Sequence, residues 1–122
     1  MEQVGKLTER VIKLLGLNIP IDTPIFLGES NIKHMQSSHP EDYAKYGANI
    51  SEILTCPDYC GINPKDSSIE FVKEYQIDGE FVKVAVRVSN GGNMYARSLY
   101  VLNYNRTQNF ISKGTLKKLN NT

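Results

Sequence analysis

Two histidines, His34 and His39, lie five residues apart in IKHMQSSHP, and three cations, Lys83, Arg87 and Arg97, lie in EFVKVAVRVSNGGNMYARSLYVLN, residues 80–103. An imidazole can be base or acid near neutral pH, a role worth roughly 10²–10⁴ in rate, and a guanidinium offers a planar fork to phosphate oxygens. With nearby hydroxyls, this set suits metal-independent RNA cleavage. A base takes the ribose 2′-OH proton, an acid protonates the leaving 5′ oxygen, and cations hold the charge of the phosphorane. Other chemistries lack their residues. The histidines sit about 140° apart on an ideal helix that Pro40 interrupts, so they are not a two-histidine zinc face. Cys56 and Cys60 form CxxxC, which is neither a zinc nor a thioredoxin spacing. There is no P-loop, GxGxxG or GxSxG, and Glu70, Glu74 and Glu80 fall where solvated strand edges would put them. Neither a metal nor a cofactor is expected.

The cations must be positioned by a β-hairpin. Val82, Val84, Val86 and Val88 alternate with Lys83, Ala85 and Arg87, the period of a half-buried strand. Asn90-Gly91-Gly92-Asn93 then turns the chain into a second strand over residues 94–103. One face is a valine-lined core and the other is cationic. Register decides what joins the cations, because a one-residue slip flips every side chain. A two-residue Gly91-Gly92 turn sets Ala96, Ser98 and Tyr100 beside Lys83 and Arg87. A turn one residue longer or shorter sets Tyr95 and Arg97 there and sends Met94, Ala96, Ser98, Tyr100 and Leu102 inward. The second keeps Arg97 out of the core and is preferred on that ground.

Upstream, Val4, Leu7, Val11, Leu14 and Leu15 recur at helical spacing, predicting an amphipathic helix over residues 2–17 that ends near Gly16. Residues 25–27 are either a strand or a buried entry to the next helix, which runs from Asn31 to Ser38 with Ser30 as N-cap. Pro40 disfavours helical geometry at His39 and opens a second short helix that reaches Tyr46. A third covers residues 49–54, and Pro57, Gly61 and Pro64 predict a loop. Residues 68–76 form a strand that Asp78-Gly79 turns into the valine strand, giving a three-stranded meander. Asn105 caps a short helix over residues 106–111, before a basic tail.

The chain has 122 residues, 40% hydrophobic, with net charge +1. That length suits one domain burying roughly two-thirds of its unfolded surface. A near-neutral chain must meet any polyanion with a local patch rather than its mean field. No apolar run approaches ~18 residues and the N-terminus lacks a signal peptide's apolar stretch, so the expectation is an intracellular, cytoplasmic protein without a membrane span.

The segments IKHMQSSHP, NPKDSSIEFVKEY, VAVRVSNGGNMYARSLYVLN and NFISKGTLKK, in that order, resemble the phage-type nucleases of the barnase/EndoU/colicin/RelE superfamily. The resemblance spans residues 25–118. It leaves residues 1–24 as an added helix and linker of the same compact unit, and residues 119–122 as a tail. It implies an α+β fold, with helices before an antiparallel sheet of four strands, at least three, and a short C-terminal helix. The relatives are carried by phages and mobile elements, often within larger polyvalent proteins, as RNA-cleaving effectors or toxins. The resemblance implies His34 as general acid or base, Arg87 and Arg97 holding the scissile phosphate, and Lys113 and Thr115 joining the same cleft. Lys83, Tyr95, Ser98, Tyr100 and His39 are the expected substrate-binding residues. No barnase-like glutamate base is evident. With His34 as base, the acid falls to His39 or a lysine.

The expectation is therefore a metal-independent endoribonuclease whose partners are RNA and either a protein inhibitor or a larger polyvalent protein. The alternative is a non-catalytic RNA-binding or protein-docking module with the same cationic face, on which Phe81 or Tyr95 would stack bases.

Overall fold

The valine alternation forms the centre of a seven-stranded sheet in the computed structural model, which describes residues 1–119. Strands β1 (Glu2–Lys6), β2 (Pro24–Leu27), β3 (Tyr59–Ile62), β4 (Ile69–Tyr75), β5 (Glu80–Val88), β6 (Met94–Val101) and β7 (Lys117–Lys118) lie in the order β1-β2-β6-β5-β4-β3-β7. Five α-helices accompany them: α1 (Glu9–Leu15), α2 (Glu29–Ser38), α3 (Pro40–Tyr46), α4 (Ile50–Thr55) and α5 (Tyr104–Lys113). The class is α+β, but the sheet is larger than expected, and it is mixed because β2 runs parallel to β6.

The two ends of the sheet correct the sequence reading. Residues 2–6 are strand, not helix, and pair antiparallel with β2. Val4 and Leu7 are buried in the main core, so two strand-side core residues happened to continue the helical spacing of Val11 and Leu14. The helix begins after Thr8, whose Oγ1 accepts from the Val11 N–H at 3.4 Å, and ends at Gly16 with φ +65°. The expected loop at residues 57–64 holds β3, which pairs with both β4 and β7. A Cβ at Gly61 would overlap the Thr115 carbonyl oxygen, so this close approach needs glycine. The expected tail begins with a buried residue: Leu119 donates its N–H to the Asp58 carbonyl, while residues 120–122 lie outside the described residues.

The interior helices match their signals more closely. Pro40 opens α3 at its first position and Gly47 ends it. The N-cap of α2 is Gly28 rather than Ser30, with the Gly28 N–H donating to Asn31 Oδ1 at 2.9 Å. Asn103, not Asn105, caps α5, its Oδ1 accepting from the Arg106 N–H at 3.0 Å.

The sheet has two unlike faces. On one, Ile69, Phe71, Val82, Val84, Val86, Met94, Ala96 and Leu99 pack with residues of α1, α2 and α4 into the main core. On the other, α5 covers only one end, where Val72 and Phe81 meet Leu116, Phe110 and Ile111. The Arg87 end of that second face is left uncovered by α5.

Register along β6 departs from both uniform alternatives. Arg87 pairs with Tyr95 and Val86 with Ala96, as the longer turn requires; the loop is Asn90-Gly91-Gly92, closed by the Ser89 N–H donating to the Asn93 carbonyl at 2.7 Å. Beyond Ala96 the pairing shifts by one, to Ala85–Ser98, Val84–Leu99 and Lys83–Tyr100. Arg97 is the extra residue of a β-bulge. Each predicted register is right for half of the strand.

Candidate active site

The bulge aims Arg97 outward, a common use of an unpaired strand residue beside a site. At the same level β2 gives way to α2, and the helix and the margin of β6 part around a cleft of about 560 Å³. It is lined by Met1, Gly28, Ser30, Asn31, His34, Tyr95 and Arg97. His34 is exposed, with Nε2 3.5 Å from Ser38 Oγ one turn on. Tyr95 leans toward Phe26 of β2, ring centroids 6.2 Å apart, and its hydroxyl donates to Met1 Sδ at 3.4 Å. Three residues named from the sequence, His34, Tyr95 and Arg97, thus share one cleft. Among the described residues no carboxylate lines it.

The cleft opens onto the uncovered sheet face. Arg87, exposed, is the cross-strand partner of Tyr95, and Ser98 lies opposite Ala85. Asp66, in the turn before β4, accepts from the Ser68 N–H at 2.9 Å. That bond and a second from the Ser68 side chain hold its carboxyl below the usual range, with smaller contributions from the positive charges of Arg87 and Lys83.

Lys83 is not a free cation. It is only 8% exposed and its Nζ lies 2.7 Å from Glu70 Oε2, while Glu70 is also 8% exposed. Burial alone would lower the Lys83 pKa, but bonds to Glu70 and Tyr100, with the charge of Glu70, raise it above that of an ordinary lysine. The same Nζ sits 4.6 Å from the centroid of the Tyr100 ring, and that ring stacks on His39 at 4.7 Å. His39, at the junction of α2 and α3, therefore joins Tyr100, Lys83 and Glu70 in a contact chain across the sheet. Asp42 of α3 fixes the neighbouring stretch by accepting from the Val101 N–H at 3.0 Å.

Two of the glutamates correct the sequence reading, because Glu70 and Glu80 are not solvated strand-edge residues. Glu70 is in the buried pair, and Glu80 accepts from Lys45 Nζ at 2.6 Å and from the Tyr46 hydroxyl at 2.7 Å. The Lys45 bond, then the Tyr46 bond, hold the Glu80 carboxyl below the usual range; burial and then Glu80 push the Tyr46 phenol up to about 12. Glu70 had a signal in the sequence. Alternation inward at Ile69 and Phe71 turns it to the Lys83 face once the Asp78-Gly79 turn fixes the register of β4 on β5. Asn31 had one too, standing three residues after the glycine that precedes α2.

Lys113 and Thr115 do not join the cleft. Both are exposed at the end of α5, where the chain turns into β7. Four strand intervals, roughly 19 Å at ~4.8 Å each, separate β7 from β6. Among the described residues, no three of His, Cys, Asp and Glu gather where they could hold a metal ion. Cys56 and Cys60 are free thiols, and burial pushes the Cys60 thiol up to about 12. No described helix is long and apolar enough to cross a membrane.

No curated protein and no solved structure matches the chain significantly. A family model does, over residues 2–109, a span that takes in β1, every cleft-lining residue named above except Met1, and most of α5, and stops short of Lys113 and Thr115. With a phage-nuclease model covering most of its length, the chain belongs to the phage-Barnase-EndoU-ColicinE5/D-RelE like nuclease3 family.

Proposed function

We propose that this nuclease is a metal-independent endoribonuclease of phage or mobile-element type, acting in the cleft between α2 and β6. The observation that carries this reading is the lining of that cleft: an imidazole and a guanidinium with hydroxyl and amide groups and, among the described residues, no carboxylate. Such a set matches transesterification. His34 takes the proton of the ribose 2′-OH, the 2′ oxygen bonds to phosphorus, and the bond from phosphorus to the 5′ oxygen breaks. The leaving oxygen takes a proton from His39, the other exposed imidazole beside β6. Arg97 holds the non-bridging oxygens as their charge grows, and Arg87 takes a flanking phosphate. Tyr95 offers a ring to a neighbouring base, with Ser98 and Tyr100 alongside the strand. Lys83, neutralised by Glu70, supports Tyr100 rather than meeting phosphate directly. Lys113 and Thr115 have no step in this reading. An effector or toxin role, restrained by a protein inhibitor or delivered within a larger polyvalent protein, follows from such an activity.

The test is cleavage of total cellular RNA in EDTA by the wild type and by His34→Ala, Arg97→Ala and Arg87→Ala, each checked for folding by circular dichroism. The expected result is a 2′,3′-cyclic phosphate product, with rates down ~10²–10⁴-fold in His34→Ala and ~10²–10³-fold in Arg97→Ala. Wild-type rates in folded His34→Ala and folded Arg97→Ala overturn the assignment. RNA that is bound in a salt-sensitive way yet left intact by the wild type makes the domain a binding module instead.

A further inference from the structure

The cleft contains a polar group whose orientation is fixed and whose donors are unspent. The Gly28 backbone N–H, 2.9 Å from Asn31, can only donate, so the atom facing it is the amide oxygen and the Asn31 Nδ2 must point elsewhere. This identifies the two ends of an amide that geometry alone often leaves ambiguous. Asn31 is half-buried and lines the cleft together with Ser30, His34 and Arg97. His34 follows it by three residues on α2, so the two side chains are neighbours on one helical face. Among the described residues no protein acceptor engages Nδ2. A locked amide thus presents two donors beside the imidazole and the guanidinium.

We propose that Asn31 is a catalytic residue of the reaction described above, on which this inference rests: its Nδ2–H donates to a non-bridging oxygen of the scissile phosphate opposite the Arg97 fork. No proton is transferred by Asn31. As the 2′ oxygen bonds to phosphorus and its proton passes to His34, negative charge grows on the non-bridging oxygens and the bond from Nδ2 strengthens. When the bond to the 5′ oxygen breaks, the charge and the strengthening recede. A donor held in place before substrate arrives acts mainly on kcat. The bond from Gly28 therefore serves two ends: it caps α2 and orients the amide.

Asn31→Asp separates these roles. A carboxylate oxygen still accepts from the Gly28 N–H, and a negative charge in the first turn of a helix is favourable, so the fold is kept or strengthened. The donor is lost and an anion faces the phosphate. The expected result is a melting temperature at or above wild type with kcat down ~10²–10³-fold, the range for removing one oxyanion donor. A purely structural Asn31 would leave kcat unchanged. RNA carrying a single phosphorothioate supplies an independent readout. Wild type should discriminate between the two diastereomers, and the discrimination should shrink in Asn31→Asp and in Asn31→Ala, the second variant serving if the first fails to fold. Wild-type kcat in folded Asn31→Asp, on RNA that His34→Ala leaves intact, overturns this assignment alone. Wild-type kcat in both overturns the underlying reading as well.

Discussion

Deleting Arg97 outright should leave the sheet intact, because the bulge makes this residue additional to the ladder. Val86 pairs with Ala96 and Ala85 with Ser98, so no residue of β5 stands opposite Arg97. Removing it closes the bulge and leaves Met94, Ala96, Leu99 and Val101 on their present face. One fewer ordered residue spares about 1–2 kcal/mol of backbone entropy, against which stand the lost bend and local twist. The net change in unfolding free energy should stay within about 2 kcal/mol. Deleting Ala96 instead is the matched control. Arg97 then falls opposite Val86, in a position where Ala96 is 0% exposed, and an unpaired guanidinium enters the main core. Breaking a buried ion pair by removing one partner costs about 3–5 kcal/mol, and a charge with no partner costs at least as much, a large share of a domain's typical ~5–15 kcal/mol. Urea unfolding followed by circular dichroism measures both variants. The Arg97 deletion should unfold cooperatively near the wild-type midpoint and lose ~10²–10³-fold in RNA cleavage. The Ala96 deletion should be largely unfolded. Equal cost for the two deletions would refute the bulge argument. A folded Arg97 deletion with wild-type cleavage would refute the role given to its guanidinium.

Two further outcomes follow from buried groups. Lys83→Met should destabilise by about 3–5 kcal/mol in urea unfolding by leaving Glu70 buried without its partner, whereas Glu70→Leu with Lys83→Met should return to within about 1 kcal/mol of wild type; a double variant no better than the single one would show that the pair is not acting as a unit. Stability should also fall in alkali: the Cys60 thiol is raised from 9.0 to about 12 by burial, so the folded state holds its proton where the unfolded state has lost it. That contribution is complete below pH ~9 and is lost as pH rises toward 12, reaching at most about 4 kcal/mol by linkage over three pH units. The raised Lys83 pKa acts in the same direction above its ordinary value. Melting temperatures between pH 8 and 11 check this, and Cys60→Ala should flatten the decline; a slope unchanged in that variant assigns it elsewhere.

What the sequence disclosed was whatever is decided locally. The valine alternation, Pro40 at the start of α3 and Gly47 after its end each act within a few residues, and each stands where its chemistry puts it. The strands that went unseen are held by distant partners. Glu2–Lys6 has little strand propensity of its own and is a strand because β2 lies beside it; β3 sits among prolines and glycines and is held between β4 and β7. Likewise the Glu70–Lys83 pair exists only once β4 and β5 are in register. The register of β6 is the instructive case, because its signal was present and was masked by the assumption of an unbroken period of two. The inward residues Met94, Ala96, Leu99 and Val101 are spaced two, three and two apart. A single step of three between steps of two is how a bulge is written in sequence. Either uniform register carries a fault: one buries Arg97, and the other turns Leu99 and Val101 outward and Ser98 and Tyr100 into the core. The bulge removes both faults with one unpaired residue, and that residue is the arginine directed at the cleft. The same step that completes the core therefore places the cation, so in β6 packing and site geometry are one constraint rather than two.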